Sequence, residues 1–202
     1  MMSKKRGILT VFSGPSGSGK GTVLAKAMEM DKDIVISVSA TTRNPREGEK
    51  DGVNYYFKTK EEFEKMIEQD GLIEWAQFCE NYYGTPRDMV EKSLSEGKDV
   101  ILEIEVQGAM KVKERFPEAV LIFNLPPSME VLRERLTGRG TESADVVEKR
   151  LKTAEWEITQ AENYDYIIVN DDLEKTAEEF LSVLKSEKCK TQNCKVLLEE
   201  FI

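Results

Sequence analysis

The chain has 202 residues, of which 40% are hydrophobic and 33% charged, a balance typical of a soluble globular protein. The net charge of −9 argues against general nucleic-acid binding, and the absence of histidine excludes Ser-His-Asp hydrolysis and histidine acid–base relays. No apolar run approaches the roughly 20 residues that span a bilayer, and three scattered cysteines indicate neither a disulfide framework nor a zinc cluster. We therefore expect a cytoplasmic protein without a nucleic-acid or membrane partner.

The first predicted element is a buried strand that ends in a glycine-rich loop. Residues 7–13 are apolar and β-branched, good helix formers follow at 23–28, and the loop between them reads Gly14-Pro15-Ser16-Gly17-Ser18-Gly19-Lys20-Gly21-Thr22. This order is typical of a polyphosphate site, because the loop N–H groups, the helix N-terminus and Lys20 are all attractive to an anion. The strict motif has Ser or Thr directly after the lysine, whereas here Gly21 precedes Thr22. The alternative is a glycine-rich turn with an exposed lysine.

The remaining predicted elements alternate between strands and helices. The expected strands are 33–39, 53–57, 73–78, 99–106, 119–125 and 166–169. Three of the expected helices are defined by their caps: one runs from the capping box Thr59–Glu62 to Gly71, one from Thr85-Pro86 to Gly97, and one begins near Asp172. Two more helices are expected at 129–136 and 145–163. For residues 187–202 the pattern favours at most a peripheral helix. This alternation predicts an α/β fold, a parallel sheet with helices on both faces, in which residues 39–89 form a small α+β insertion.

Two carboxylates lie near the end of the predicted strand 99–106. Glu103 and Glu105 are two residues apart and therefore share one face, at the edge where doubly wound sheets bind ligands. A carboxylate in a buried strand is costly unless it meets a metal, a donor or a cation. The alternative is an edge strand whose polar face is solvated.

Arginines form two candidate anion sites. One group surrounds the turn 138–140 and predicts a mobile lid: Arg133, Arg135, Arg139 and Arg150. Alternatively, these arginines pair with the glutamates of the same region on a solvated face. The other group, Arg43 and Arg46, lies in a polar loop that could instead be a surface turn. Four tyrosines of the insertion suit either a sheet face or a flat ligand that carries phosphate, namely Tyr55, Tyr56, Tyr82 and Tyr83.

Taken in order, the motifs of this chain resemble those of the guanylate kinase family over residues 7–185. The matching segments are 14–20, 37–49, 52–57, 73–76, 81–85, 102–108, 139–141 and 168–172. The resemblance implies a P-loop three-layer core with a parallel sheet, an inserted small α+β GMP-binding lobe and a helical lid. Its implied boundaries are 1–38, 90–127 and 156–202 for the core, 39–89 for the lobe and 128–155 for the lid.

The resemblance also implies the roles of individual residues. The GMP phosphate would be held by Ser39, Arg43, Arg46, Tyr55 and Tyr83, and the guanine by Glu74, Thr85 and Glu103. Guanine offers N1–H and an amine to a carboxylate, and its O6 accepts from a hydroxyl, whereas adenine presents the opposite pattern. The phosphate loop 14–22 and Asn170 would bind ATP. The residues implied in catalysis are Lys20, Arg43, Arg135, Arg139 and Arg150.

The implied reaction is reversible transfer of the ATP γ-phosphoryl group to GMP with Mg²⁺, which gives ADP and GDP. Gly21 and Glu105 depart from the family pattern, which has a hydroxyl residue and aspartate there. We therefore expect Mg²⁺ to be held by water, ATP oxygens and Thr22, with Glu105 acting through water. The alternatives are a kinase for another nucleoside monophosphate and a non-catalytic guanylate-kinase-like module that binds phosphorylated proteins. A GTPase switch is disfavoured because the chain has no Asn-Lys-x-Asp motif.

Overall fold

The structure is a computed structural model that describes residues 6–78, 80–138 and 143–195. Within these ranges the strands are β1 (Leu9–Ser13), β2 (Ile34–Ile36), β3 (Ala40–Thr41), β4 (Tyr56–Phe57), β5 (Leu72–Phe78), β6 (Asn81–Pro86), β7 (Asp99–Leu102), β8 (Val120–Leu125) and β9 (Tyr166–Val169). The α-helices are α1 (Lys20–Met30), α2 (Lys60–Glu68), α3 (Arg87–Ser95), α4 (Val106–Arg115), α5 (Met129–Thr137), α6 (Ala144–Thr159) and α7 (Leu173–Lys188). Short 3-10 helices follow α6 and α7 at Gln160–Asn163 and Thr191–Asn193.

The larger sheet has five strands in the order β2-β7-β1-β8-β9, and every neighbouring pair is parallel. β1 lies in the middle, where Val11 pairs with Leu102 on one side and Leu121 on the other. All five residues of β1 are buried, as its β-branched sequence predicts. The predicted α/β fold with a parallel sheet is therefore confirmed.

Helices cover both faces of this sheet because residues of β1 alternate between two hydrophobic clusters. On one face, Phe12 packs edge-on against Phe180 of α7, with ring centroids 5.0 Å apart, and α1 adds Leu24. On the other face, Val11 packs with Leu94 of α3 and with residues of α4. The result is three layers, and the carboxyl ends of the parallel strands meet at one edge of the sheet.

A second sheet is built entirely from residues between β2 and β7. Its order is β4-β3-β6-β5, in which β6 is antiparallel to both neighbours. Helix α2 covers it, and the ring of Phe63 stacks on Tyr82 with centroids 5.3 Å apart. The predicted capping box of α2 is confirmed: the Thr59 hydroxyl accepts from the Glu62 N–H at 3.2 Å, and the Glu62 carboxylate accepts from the Thr59 N–H at 2.8 Å.

Several predicted boundaries are wrong. The strands expected at 33–39 and 53–57 are only three and two residues long, and β3, β6 and α4 had no counterpart among the predicted elements. The helix expected after Thr85 begins at Arg87, because Thr85 and Pro86 belong to β6. The helix expected at 145–163 is α-helical only to Thr159. The errors at strands fall where pairing with distant strands overrides the local pattern.

The final predicted helix is confirmed. The Asp172 carboxylate accepts from the Lys175 N–H at 2.9 Å and caps α7. Residues 196–202 of the tail lie outside the described residues. Within the described part of the chain, no helix combines the length and apolarity that a membrane crossing needs.

Candidate active site

The glycine-rich loop connects β1 to α1 at the carboxyl edge of the larger sheet. Gly14, Gly17 and Gly19 have φ angles of 147°, 92° and 90°, which other residues rarely adopt. A Cβ on Gly14 would also overlap the carbonyl oxygen of Asn124, and one on Gly19 would overlap the side-chain nitrogen of Asn170. Backbone conformation therefore requires glycine at all three positions, and at Gly14 a side chain would also collide with the backbone of Asn124.

Lys20, the first residue of α1, places its ammonium group inside this loop. Its Nζ donates to the carbonyl oxygens of Gly14 at 2.6 Å and Pro15 at 3.2 Å. Burial lowers the pKa of Lys20 below its ordinary value, and the nearby carboxylates of Glu103 and Glu157 oppose that shift. Lys20 is thus a desolvated cation at the positive end of a helix, and the alternative of an exposed lysine is wrong.

The carbonyl oxygen of Ser18 accepts hydrogen bonds from three distant side chains. The donors are Asn124 Nδ2 at 3.0 Å, Arg135 Nη1 at 3.2 Å and Asn170 Nδ2 at 2.7 Å. Arg135 also donates through Nη2 to the Asn170 carbonyl oxygen at 2.9 Å. The loop is therefore anchored by β8, α5 and the residue that follows β9.

A cleft of 370 Å³ opens beside this anchor. Its lining includes Gly19, Thr22, Arg135, Asn170 and Leu173. Thr22 is exposed in the first turn of α1, and its N–H donates to the Gly19 carbonyl oxygen at 3.1 Å. The cleft thus combines the loop with one arginine and one amide, which suits part of a nucleotide.

The predicted lid arginines divide into different environments. Arg150 on α6 donates to the Ser16 hydroxyl of the phosphate loop, whereas Arg133 on α5 pairs with Glu148. The alternative in which glutamates neutralise these arginines therefore holds for Arg133. Arg139 lies outside the described residues. Helices α5 and α6 share a hydrophobic cluster of their own that includes Leu132, Leu136, Val147 and Leu151.

A second basic cluster lies on the smaller sheet. Arg43 donates from Nη2 to both carboxylate oxygens of Glu49 at 2.9 Å, and its guanidinium lies 5.4 Å from the centre of the Tyr55 ring. The Arg46 N–H also donates to Glu49, at 2.7 Å. These bonds, from Arg43 first, hold the pKa of Glu49 below its ordinary value. Glu49 therefore orients Arg43 and must share it with any phosphate that binds here.

The tyrosines divide between this cluster and the core. Tyr55 and Tyr83 have ring centroids 6.1 Å apart and accompany Arg43. Tyr56 and Tyr82 instead pack against the hydrophobic cluster under α2. Half-buried Ser39 precedes β3, and its carbonyl oxygen accepts from the Tyr56 N–H at 2.8 Å. Arg43, Tyr55 and Tyr83 are thus brought together, and Arg46 joins them only through its backbone N–H to Glu49. Ser39 lies at the other end of the two-residue strand β3 from Arg43.

Glu74 of β5 and Thr85 of β6 form a buried pair. The Thr85 hydroxyl donates to Glu74 Oε1 at 2.8 Å, so it is committed to the carboxylate rather than to capping α3. Burial raises the pKa of Glu74, while the Thr85 hydrogen bond and the charge of Lys111 lower it. A buried carboxylate with so few donors is a strong acceptor for a ligand that carries N–H groups.

Glu103 and Glu105 are not strand residues, because β7 ends at Leu102. Glu103 is exposed, and a Cβ on Gly21 would lie 4.0 Å from its Oε1. Glu105 caps α4, where it accepts from the N–H groups of Gly108 at 3.0 Å and Gln107 at 3.3 Å. The alternative of an edge strand is also wrong, since β7 lies between β2 and β1. Both carboxylates nevertheless lie at the carboxyl edge of the sheet.

A sequence model of the family described as guanylate kinase matches residues 6–187. The chain belongs to the guanylate kinase family. The guanylate kinase of Caldanaerobacter subterraneus subsp. tengcongensis is 52% identical over 98% of this chain and 96% of its own length. That of Halalkalibacterium halodurans is 50% identical over 99% of this chain and 97% of its own. The crystal structure of guanylate kinase from Anaplasma phagocytophilum is 41% identical, covers 93% of this chain and 89% of that chain, and has a TM-score of 0.72.

Membership of the guanylate kinase family confirms the resemblance drawn from the motifs and makes this chain a nucleotide phosphotransferase. Three residues escaped the sequence interpretation: Asn124 and Glu157 near the phosphate loop, and Glu49 beside Arg43. Asn124 could have been found, because it is the one amide in the apolar strand Val120–Leu125. Glu49 and Glu157 lie in charged segments, where no pattern distinguishes them from solvated residues.

Proposed function

We propose that this member of the guanylate kinase family transfers the γ-phosphoryl group of ATP to GMP, reversibly and with Mg²⁺, to give ADP and GDP. The observation that carries the proposal is the buried pair Glu74 and Thr85, on the same sheet as the arginine cluster of Arg43. A carboxylate can accept from the N1–H and amine of guanine, and a neighbouring hydroxyl can donate to O6. Adenine places a donor and an acceptor where guanine has the reverse, so it does not match this pair.

The proposed division of the chain has three parts. Residues 1–38, 90–127 and 156–202 form the core, 39–89 the GMP-binding lobe and 128–155 the lid. The second sheet, which lies within residues 40–86, and the separate hydrophobic cluster between α5 and α6 support this division. Because hinge motion between such parts is common in kinases, the lobe and lid would close over the substrates.

On the donor side, the loop N–H groups and Lys20 would hold the β- and γ-phosphates of ATP. Arg135 and Arg150 already contact the loop through Ser18 and Ser16, which places both guanidinium groups beside it. Arg139 is proposed to act with them on the transferring group. Asn170 lines the 370 Å³ cleft and would lie beside the rest of the nucleotide while its amide supports the loop.

On the acceptor side, five residues would hold the GMP phosphate: Ser39, Arg43, Arg46, Tyr55 and Tyr83. Glu74, Thr85 and Glu103 would contact the guanine. The Thr85 hydroxyl donates to Glu74, so a bond from it to guanine O6 requires the hydroxyl to rotate.

The chemistry needs positioning and charge neutralisation rather than a base. An anionic oxygen of the GMP phosphate would form the new bond to the γ-phosphorus, while the bond from that phosphorus to the β–γ bridging oxygen breaks and ADP leaves. Arg43 would aim the acceptor, and Lys20 and the lid arginines would stabilise charge on the equatorial oxygens. Closure would exclude water and so suppress hydrolysis of ATP.

The donor set fits a Mg²⁺ ion that is held mostly by ATP and water. Among the described residues there is no group of three or more acidic, cysteine or histidine side chains that could hold a metal alone. Mg²⁺ commonly takes one or two protein oxygens together with phosphates and water, and it neutralises developing charge when bound. We propose Thr22 and, through water, Glu105 as those protein groups, because one is exposed and the other keeps lone pairs free beyond its two capping bonds.

A panel of nucleoside monophosphates tests this function by release of ADP from ATP, with Lys20→Ala as the inactive control. We expect turnover with GMP to exceed that with AMP, UMP or CMP by orders of magnitude. Preference for another monophosphate would overturn the assignment of GMP. Binding of GMP without turnover would favour the non-catalytic module instead. A cytoplasmic location and the lack of a nucleic-acid or membrane partner stay predictions from composition.

A further inference from the structure

Gly108 is a glycine whose backbone does not need glycine. It lies in the first turn of α4, is buried, and has a helical backbone conformation that any L-residue adopts. Alanine is a better helix former than glycine at such a position. The reason for glycine must therefore lie in what a side chain would touch.

A Cβ on Gly108 would lie 3.5 Å from Glu74 Oε2 and 3.3 Å from Ile104 Cδ1. Both separations are contact distances, and only the Ile104 contact requires a neighbour to move. The backbone here is held in place, since the Gly108 N–H donates to Glu105 Oε1 at 3.0 Å. An added methyl group would thus pack directly against the second oxygen of the Glu74 carboxylate.

The two oxygens of Glu74 have different surroundings. Oε1 accepts from the Thr85 hydroxyl at 2.8 Å, whereas among the described residues none donates a hydrogen bond to Oε2. Lys111, one turn along α4 from Gly108, adds positive charge on this side while its Nζ donates to the Trp75 carbonyl oxygen at 3.2 Å. Oε2 is therefore the oxygen that is left for a ligand.

We propose that Gly108 is a specificity-determining residue, whose missing side chain leaves Glu74 Oε2 accessible to the N–H groups of guanine. This inference rests on the proposed role of Glu74 in reading the base. A methyl group at this position would occupy space beside Oε2 and exclude an N–H donor or the water that replaces it. The first turn of α4, which belongs to the core, thereby completes a base site whose other residues lie on the smaller sheet.

The variant Gly108→Ala tests this inference because it should preserve the helix and impair only recognition of GMP. We expect the KM for GMP to rise about tenfold or more, as for one misplaced methyl group in a binding pocket. The KM for ATP should stay within twofold, about the scatter of such measurements, and the thermal unfolding midpoint should stay equal or rise. An unchanged KM for GMP would overturn the inference, as would a lower midpoint with both KM values raised.

Ile104→Val distinguishes the contact with Glu74 from crowding of Ile104. Alone it should behave as the parent. Combined with Gly108→Ala it removes the 3.3 Å contact but leaves the methyl group against Oε2, so the GMP defect should persist. Recovery of the parent KM in the double variant would show that crowding was the cause and would overturn the inference.

Glu74→Gln separates a failure of this inference from a failure of the proposed function. If Glu74→Gln leaves the KM for GMP unchanged, Glu74 does not read the base and the proposed function loses its main support. If Glu74→Gln raises that KM and Gly108→Ala does not, only the role of Gly108 is wrong.

Discussion

Replacing Glu74 by glutamine should change recognition of GMP and stability in opposite directions. The Glu74 residue is 7% exposed and accepts one hydrogen bond, from Thr85 at 2.8 Å. Glutamine has the same shape as glutamate but carries no charge, and one of the two acceptor oxygens is replaced by an NH₂ donor. The site therefore presents a donor to one of the two N–H groups of guanine and a neutral acceptor to the other.

The magnitude follows from these lost bonds. A hydrogen bond to a charged group contributes about 1.5–3 kcal/mol, so losing one and weakening the other should cost roughly 2–4 kcal/mol of GMP binding. At about 1.4 kcal/mol per tenfold, the KM for GMP should rise roughly 30- to 1,000-fold. The KM for ATP should hardly change, because the phosphate loop and the 370 Å³ cleft do not include Glu74.

Stability should respond with the opposite sign. Burial first, and then the charge of Glu105, raise the pKa of Glu74 in the folded protein, while Thr85 and Lys111 oppose this. The ionised carboxylate therefore destabilises the fold above its folded pKa, and this cost fades as the pH falls through that value toward the unfolded one. Glu74→Gln should unfold at the same or a higher temperature than the parent at about pH 8, and the difference should shrink at about pH 4.5, the ordinary pKa of a glutamate.

The assay compares thermal unfolding at both pH values with KM for GMP and ATP. Glu68→Gln, an exposed change on α2, is the matched control and should alter none of these quantities. A lower unfolding temperature at about pH 8, together with equal increases in both KM values, would refute the argument and make Glu74 a structural residue.

Two further changes test the loop and the core. Lys20→Met should lower kcat/KM roughly 100-fold or more without lowering the unfolding temperature, because it removes a cation that burial already disfavours. Equal stability with retained turnover would contradict that role. Phe180→Ala should lower the free energy of unfolding by about 3–5 kcal/mol in a denaturant titration, since Phe180 is 0% exposed and packs on Phe12. The exposed Trp156→Ala is its control, and a loss below about 1 kcal/mol for Phe180→Ala would contradict the packing argument.

The sequence predicts those parts of the molecule whose causes are local. The strand before Gly14, the helix after Lys20 and the caps at Thr59 and Asp172 depend on neighbours a few residues away, and all are found. The parallel sheet follows from the order of such elements. Composition also excludes histidine chemistry without any structure.

Other features depend on partners that a pattern cannot reveal. The alternation Leu102-Glu103-Ile104-Glu105-Val106 suits a strand, yet β7 ends at Leu102 because Glu105 caps α4. Thr85 has the form of a helix cap, yet its hydroxyl donates to Glu74 across two strands. The role of Asn124 depends on Ser18, which is 106 residues away. In each case two local interpretations were possible, and a distant side chain decides between them.

The anchoring of the Ser18 carbonyl bears on when the folding chain gains the ability to bind nucleotide. Its donors are 106, 117 and 152 residues further along the chain. Although the glycine-rich loop is among the first segments to be synthesised, it reaches its final shape only after β9 has joined the sheet. Contacts of such long range are slow to form, because the intervening chain must first be brought together. When the protein refolds in the presence of ATP, nucleotide binding should therefore appear in the slowest kinetic phase. Binding of the nucleotide would then indicate that the whole core has formed.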